Sequence, residues 1–250
     1  MIFLKSEEEL RLMHRANALV HRALEAAREA AAPGVTTAEL DEIAEAVIRD
    51  GGGKPAFKGY RGFPATLCTS VNDEIVHGIP SRKVRLRAGD VLSIDCGAIV
   101  GGYYGDAAAT FPIGEVSPAA RRLIDVTRAC LEDAVEQVRP GNRRGDVGWA
   151  VQRRAEAAGF GVVRDFVGHG VGRALHEDPQ VPNYGTPGHG LQLKPGLVLA
   201  IEPMITLGSW RVRVDDDGWT ARTEDGKLAA HFEYSVAVTD SGHWILGLEE

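Results

Sequence analysis

The chain has 250 residues, a formal net charge of −7 and 44% hydrophobic residues, which fits one large or two small domains of ordinary globular composition. The acidic balance weighs against a nucleic-acid partner. No apolar run is long enough to cross a bilayer, and the opening MIFLKSEEEL lacks the apolar core of an export signal.

Ser6 and Glu9 form a capping box ahead of a first helix, in which Leu12, Ala16, Leu19 and Ala23 recur at helical spacing. Pro33-Gly34 ends that helix. Thr36 and Glu39 cap a second, with Leu40, Ile43 and Val47 expected on its buried side. Strands are expected at 66–71, 91–96, 98–104 and 106–111. Ser117-Pro118 starts a third helix and Pro140-Gly141 stops it. A fourth helix follows at 145–158, then strands at 197–202, 210–214 and 231–239. Helix pairs followed by strands in each half predict an α+β domain. Three scattered cysteines, Cys68, Cys96 and Cys130, suit a reducing cytoplasm better than a disulfide framework.

Two internal echoes support that division. ALEAAREAAAPG, ending at Gly34, resembles CLEDAVEQVRPG, ending at Gly141. LRAGDVLSID, ending at Asp95, resembles LKPGLVLAIE, ending at Glu202. Both pairs are offset by 107 positions without a gap. This predicts a single domain over 1–250 made of two similar halves, roughly 1–115 and 116–250, and not a solenoid, whose repeats are much shorter.

Five residues carry the chemistry: Asp95, Asp106, His169, Glu202 and Glu233. Period two puts Val91, Ser93 and Asp95 on one strand face, and a hairpin over GGYYG brings Asp106 beside Asp95, with Asp106 beginning the second strand. Glu202 ends an apolar run, where a carboxylate must be paired or bound. His169 is expected on a glycine-rich loop whose small neighbours leave its imidazole free. Four carboxylates with one imidazole balance two divalent ions such as Mn, Fe, Co or Zn, and would repel one another severely without them. Such a centre activates water and polarises a carbonyl. Any one of these aspartates alone would read as a turn or surface residue. A phosphate loop at VGHGVG is disfavoured because it lacks that motif's lysine and serine. No G-x-S-x-G elbow or H-E-x-x-H helix competes.

Four stretches carry a family resemblance: SVNDEIVHGIP (Ser70 to Pro80), SIDCGAIVGGYYGDAAATF (Ser93 to Phe111), FVGHGVGRALHEDPQVPNY (Phe166 to Tyr184), and IEPM with FEYSVAVT. In this order, and over nearly the whole chain, they resemble the type I methionine aminopeptidases. The resemblance implies a pseudo-two-fold "pita-bread" fold, with a curved, mainly antiparallel sheet backed by helices. It implies removal of the initiator methionine from nascent polypeptides and short peptides when the second residue is small. Asp95 matches a bidentate ligand of one metal. Asp106 and Glu233 match the bridging carboxylates. His169 and Glu202 match ligands of the other metal, and Glu202 is also the candidate acceptor of the water proton. His77 and His176 match two non-ligand histidines that meet the scissile amide.

The implied methionine pocket is Phe57, Tyr60, Phe63, Cys68, Leu175 and Trp219, an apolar lining suited to a thioether. Phe63 and Leu175 stand where Tyr and Phe are common in the family, and Phe57 where some bacterial members carry a cysteine. Asn72 and Glu74 match the backbone of a loop that holds one monovalent cation in some members, with Ala229 where a serine is frequent. A monomer is expected, with no membrane association and no sequence-specific nucleic-acid binding. The Arg82-Lys83-Arg85-Arg87 cluster reads as a solvated loop that could also make a transient ribosome contact. Xaa-Pro aminopeptidases and prolidase-like dipeptidases share the ligand pattern, but usually carry an additional N-terminal domain for which this chain has no room. A non-catalytic binding module of the same fold would be expected to have lost metal ligands.

Overall fold

The computed structural model describes residues 2–249. Four helices appear among them: α1 (Glu7–Ala30), α2 (Thr37–Asp50), α3 (Pro118–Val135) and α4 (Arg144–Ala157). Reciprocal capping fixes the first two starts. The Ser6 backbone N–H donates to the Glu9 carboxylate at 2.8 Å while Ser6 Oγ accepts from the Glu9 N–H at 3.3 Å. Thr36 and Glu39 repeat the arrangement at 2.7 and 3.3 Å, satisfying backbone donors that a helix start otherwise leaves bare.

The buried stripe of α2 differs from expectation. Leu40, Ala44 and Ile48 are buried, and Ile43 and Val47 are only half-buried. The helix presents an i, i+4, i+8 row to α1 and the sheet, and Ile43 and Val47 flank that row. Leu12 of α1 is likewise half-buried, beside fully buried Ala16, Leu19 and Ala23.

The main sheet has nine strands, all antiparallel. Its order runs Lys54–Pro55, Val91–Val100, Tyr103–Pro112, Glu233–Val238, Val198–Ile201, Gly168–Gly170 and Glu177–Val181, with Leu67–Val71 paired to Val91–Val100 and His243–Ile245 paired to Glu233–Val238. Two three-stranded sheets flank it: Ala229–His231, Met204–Thr206 and Gly161–Val162, and Val212–Val214, Ala221–Thr223 and Glu74–Val76. Each helix pair covers its own apolar cluster. α1 and α2 pack on Leu92 and Ile94, and α3 and α4 on Leu199, Ile201 and Val236. Each such fully buried side chain contributes roughly 1.5 to 3 kcal/mol.

Two strand expectations need correction. Residues 98–104 are not one strand, because Gly101 and Gly102 take φ of 59° and 83° and close a tight turn; glycine adopts this backbone at little cost. The first hairpin strand therefore continues to Val100, and Asp106 lies inside the second instead of at its start. Residues 231–239 are likewise broken at Phe232, so Ala229–His231 and Glu233–Val238 join different sheets.

Candidate metal centre and substrate cavity

The long hairpin sets the acidic wall. Asp95 pairs with Ala108 and Gly97 with Asp106, so the two aspartates are diagonal neighbours on one face. Glu233 pairs with Ala108 from the other side, and Cys68 pairs with Asp95. A row of four residues thus crosses the sheet: Cys68, Asp95, Ala108, Glu233. The small Ala108 leaves open space between the two carboxylates. Asn17, fully buried in α1, donates its Nδ2 to the Met13 carbonyl and accepts the Asp106 backbone N–H at 3.1 Å. α1 can lie this close because residue 105 is glycine: a Cβ there would sit 2.6 Å from the α1 backbone.

His169 is not on a loop. It occupies the middle of a short strand, between Gly168 and Gly170. A Cβ on Gly168 would collide with the Ala200 carbonyl, and one on Gly170 with the Asp178 carbonyl. The glycines therefore serve close strand packing, and the packing aims the imidazole. His169 Nδ1 lies 2.9 Å from the Gly170 carbonyl, which can only accept, so Nδ1 carries the proton and Nε2 presents its lone pair. That Nε2 lies 3.4 Å from Glu202 Oε1 and 3.8 Å from Asp106 Oδ2. One ligand atom each from Asp106, His169 and Glu233 fall within 4.8 Å of one another.

These residues fit a metal. Asp95 Oδ1, Asp106 Oδ1 and Glu233 Oε1 are buried without any hydrogen-bond partner, a costly condition that a cation relieves. Burial raises all four carboxyls, and their mutual charge raises Asp106, Glu202 and Glu233 further, well above the usual range; Asp95 is pushed up to about 7. Burial also lowers His169 to about 3, helped by the nearby His176. A neutral imidazole beside crowded carboxylates is the donor set of a first-row divalent ion.

A cavity of about 200 Å³ adjoins this wall and is lined by all five ligand candidates together with His77, His176 and the six expected pocket residues. Phe57, Phe63, Cys68 and Leu175 are buried in one apolar cluster, with Tyr60 and Trp219 packed against it. Phe63 and Trp219 meet edge to face at 5.1 Å. His77 takes a left-handed φ of 63°, rare outside glycine and found where surroundings enforce it. Its ring stands edge-on to Phe166 at 5.3 Å, and burial lowers its pKa to about 4. His176 is lowered too, by burial and then by Arg61.

Asn72 and Glu74 are not part of this cavity. The Asn72 carbonyl accepts the Ala229 N–H at 2.9 Å, and the Glu74 carboxylate binds Arg222 and the Val71 N–H. In the basic cluster, Arg82 pairs with Glu42 and Arg85 reaches the Gly34 carbonyl.

Sequence reading missed Arg61, Val76, Phe166 and Val167, which line the cavity, and His231, which lies beside Glu202. His231 Nε2 is buried without a partner, 3.8 Å from Glu202 Oε2. Its spacing of two residues from Glu233 is the available signal, since alternation along the expected 231–239 strand puts both on one face.

The comparisons with known proteins agree with this geometry. Residues 11–240 match the model of metallopeptidase family M24, and the chain belongs to that family. A methionine aminopeptidase of Clostridium acetobutylicum is 50% identical over 250 residues, covering the whole of both chains. The crystal structure of a Thermotoga maritima methionine aminopeptidase superimposes with a TM-score of 0.98 at 46% identity, again over the whole of both chains. Within M24 the chain is a member of the methionine aminopeptidases, with their pita-bread fold. A Pyrococcus horikoshii prolidase shares the fold alone, at a TM-score of 0.80 and 24% identity over 99% of this chain and 64% of its own. Among the described residues, no helix is long and apolar enough to cross a membrane.

Proposed function

We propose that the chain removes the N-terminal methionine of nascent proteins and peptides with a small second residue, using two divalent ions held by Asp95, Asp106, His169, Glu202 and Glu233. The observation that carries this reading is the meeting of three partnerless carboxylate oxygens with an apolar, aromatic cavity of about 200 Å³. The ions, when bound, acidify a water and polarise the scissile carbonyl.

The remaining work falls to the chain itself. Phe57, Phe63, Cys68, Leu175 and Trp219 enclose the methionine side chain through dispersion and sulfur–ring contacts. Glu202 takes the water proton on its carboxylate, which faces the same centre with Oε1 3.4 Å from His169 Nε2. His77 and His176, kept neutral by burial, offer N–H donors to the scissile amide as it becomes tetrahedral. Tyr60, 2.8 Å from His176 Nδ1, fixes that ring. The same reading places the enzyme in the cytoplasm as a single-domain monomer.

The test is hydrolysis of Met-Gly-Met, Met-Lys-Met and Ala-Pro-Ala by metal-reconstituted protein. Methionine release from the first alone supports the proposal. Preferential cleavage of Ala-Pro-Ala would move the chain to the proline-peptidase branch of the fold.

A further inference from the structure

Lys5 lies ahead of α1 and far from the metal ligands in sequence, yet it is buried. Its ammonium group meets Glu177 Oε2 at 2.6 Å, with the two side chains 4% and 9% exposed, and donates to the Phe3 carbonyl at 3.0 Å. Its backbone N–H donates to the Gly196 carbonyl at 2.7 Å. A buried ammonium costs too much to hold without such partners.

Glu177 is the first residue of the strand after His176. Its other oxygen turns back into the connecting segment 171–176 and accepts the N–H groups of Arg173 and Ala174 at 2.8 and 3.3 Å. A Cβ on Gly172 would lie 2.6 Å from both Glu177 Oε1 and Lys5 Cε, so the lysine stem packs directly on this turn. A second tie runs parallel. Tyr103 donates its hydroxyl to Glu9 Oε1 at 2.6 Å, and Arg173 Nε donates to that hydroxyl at 3.0 Å. The segment held at these two points carries Leu175, which walls the apolar cavity, and His176, whose ring lies 4.3 Å from that of His169.

We propose that Lys5 is a positioning residue for the reaction: through Glu177, the chain's own N-terminal segment clamps the 171–176 turn and so sets His176 against the scissile amide. This rests on the role assigned to His176 above. Neither Lys5 nor Glu177 lines the cavity that holds the five ligand candidates, so the contribution of the ion pair appears as geometry at His176, where small misplacements are costly.

The experiment is a cycle of Lys5→Met, His176→Ala and the double variant in the full-length, metal-loaded enzyme. It reads kcat, KM, metal affinity by calorimetry and the thermal midpoint. Lys5→Met is expected to lower kcat about tenfold, with metal affinity unchanged, and to add almost nothing once His176 is absent. Lys5→Arg should recover most of the loss. Where Lys5→Met does not fold, Lys5→Gln, which keeps a donor for Glu177, carries the same cycle with a smaller expected loss. Wild-type kcat in the Lys5 variant, or an equal loss with and without His176, overturns the positioning role while leaving the proposed function standing. Wild-type turnover in His176→Ala overturns the role of His176 itself, and the clamp with it.

Discussion

The Tyr60 hydroxyl lies 2.8 Å from Nδ1 of His176, with the two rings 5.3 Å apart and tilted by 34°. This joins the rim of the methionine cavity to a histidine of the reaction centre. A hydroxyl donated to Nδ1 selects the tautomer with its proton on Nε2, the form able to donate to a substrate oxygen or nitrogen.

Tyr60→Phe keeps the ring and removes that selection. Turnover is expected to fall about tenfold while KM for a methionyl peptide changes little. Steady-state kinetics of the metal-loaded variant check the split. A change confined to KM would make Tyr60 a wall residue only.

Asp106→Asn and Glu233→Gln each remove a carboxylate from the crowded acidic wall. Loss of a mere outer partner of a ligand costs roughly 10- to 100-fold in metal affinity, so these substitutions should cost at least that and abolish most activity. Calorimetric titration of the chelator-treated variants measures it. Unchanged stoichiometry and affinity would remove both residues from the ligand set.

The architecture and the acidic row were legible in the chain for a physical reason. Helix caps, the turn glycines and strand alternation are local, and alternation fixes which side chains share a face. The α+β class followed from them, and the pita-bread form from the ordered motifs. What stayed hidden depends on contacts distant in sequence. Nothing near Asn17 shows that it receives the Asp106 N–H from another element. Lys5 reads as a surface lysine until Glu177, 172 residues away, is brought to it. The short strand at His169 was invisible because its three residues, a histidine between two glycines, carry no alternation to read. The break at Phe232 put His231 and Glu233 in different sheets, yet both side chains still reach the same centre.

The chelator-treated protein should show a diagnostic pH response. Its four carboxyls are raised in the folded state, Asp95 from 3.8 to about 7 and the others well above their usual range. A folded state that binds protons more tightly than the unfolded chain loses stability as pH rises through the folded pKa values. His77, His169 and His231, lowered from 6.5 to about 4, 3 and 3, act oppositely as the imidazoles of the unfolded chain lose their protons through pH 6.5, and are neutral in both states only above about pH 7.5. Above about pH 7.5 the thermal midpoint of the metal-free protein should therefore fall, carried by Asp106, Glu202 and Glu233; Asp95, whose total effect is on the order of 4 kcal/mol, loses nearly all of it between pH 3.8 and 7. Metal removes the repulsion, so the loaded protein should show no such decline. A midpoint that is flat over this window without metal would contradict the crowding of carboxylates at the centre.

The last prediction concerns how the cavity recognises sulfur. Phe63 is buried and meets Trp219 edge to face at 5.1 Å, giving the cavity an aromatic corner. Phe63→Leu keeps an apolar wall of reduced size but removes one ring available to a thioether. Sulfur–aromatic contacts contribute about 0.3 to 1.5 kcal/mol, so kcat/KM for a methionyl peptide should drop about two- to tenfold. Norleucine has the same length without the sulfur and loses only dispersion, so its peptide should be hurt less. The measurement is the ratio of the two kcat/KM values in wild type and variant. A ratio that does not move would mean that Phe63 supplies shape alone, and that sulfur is sensed, if at all, by the remaining walls of the cavity.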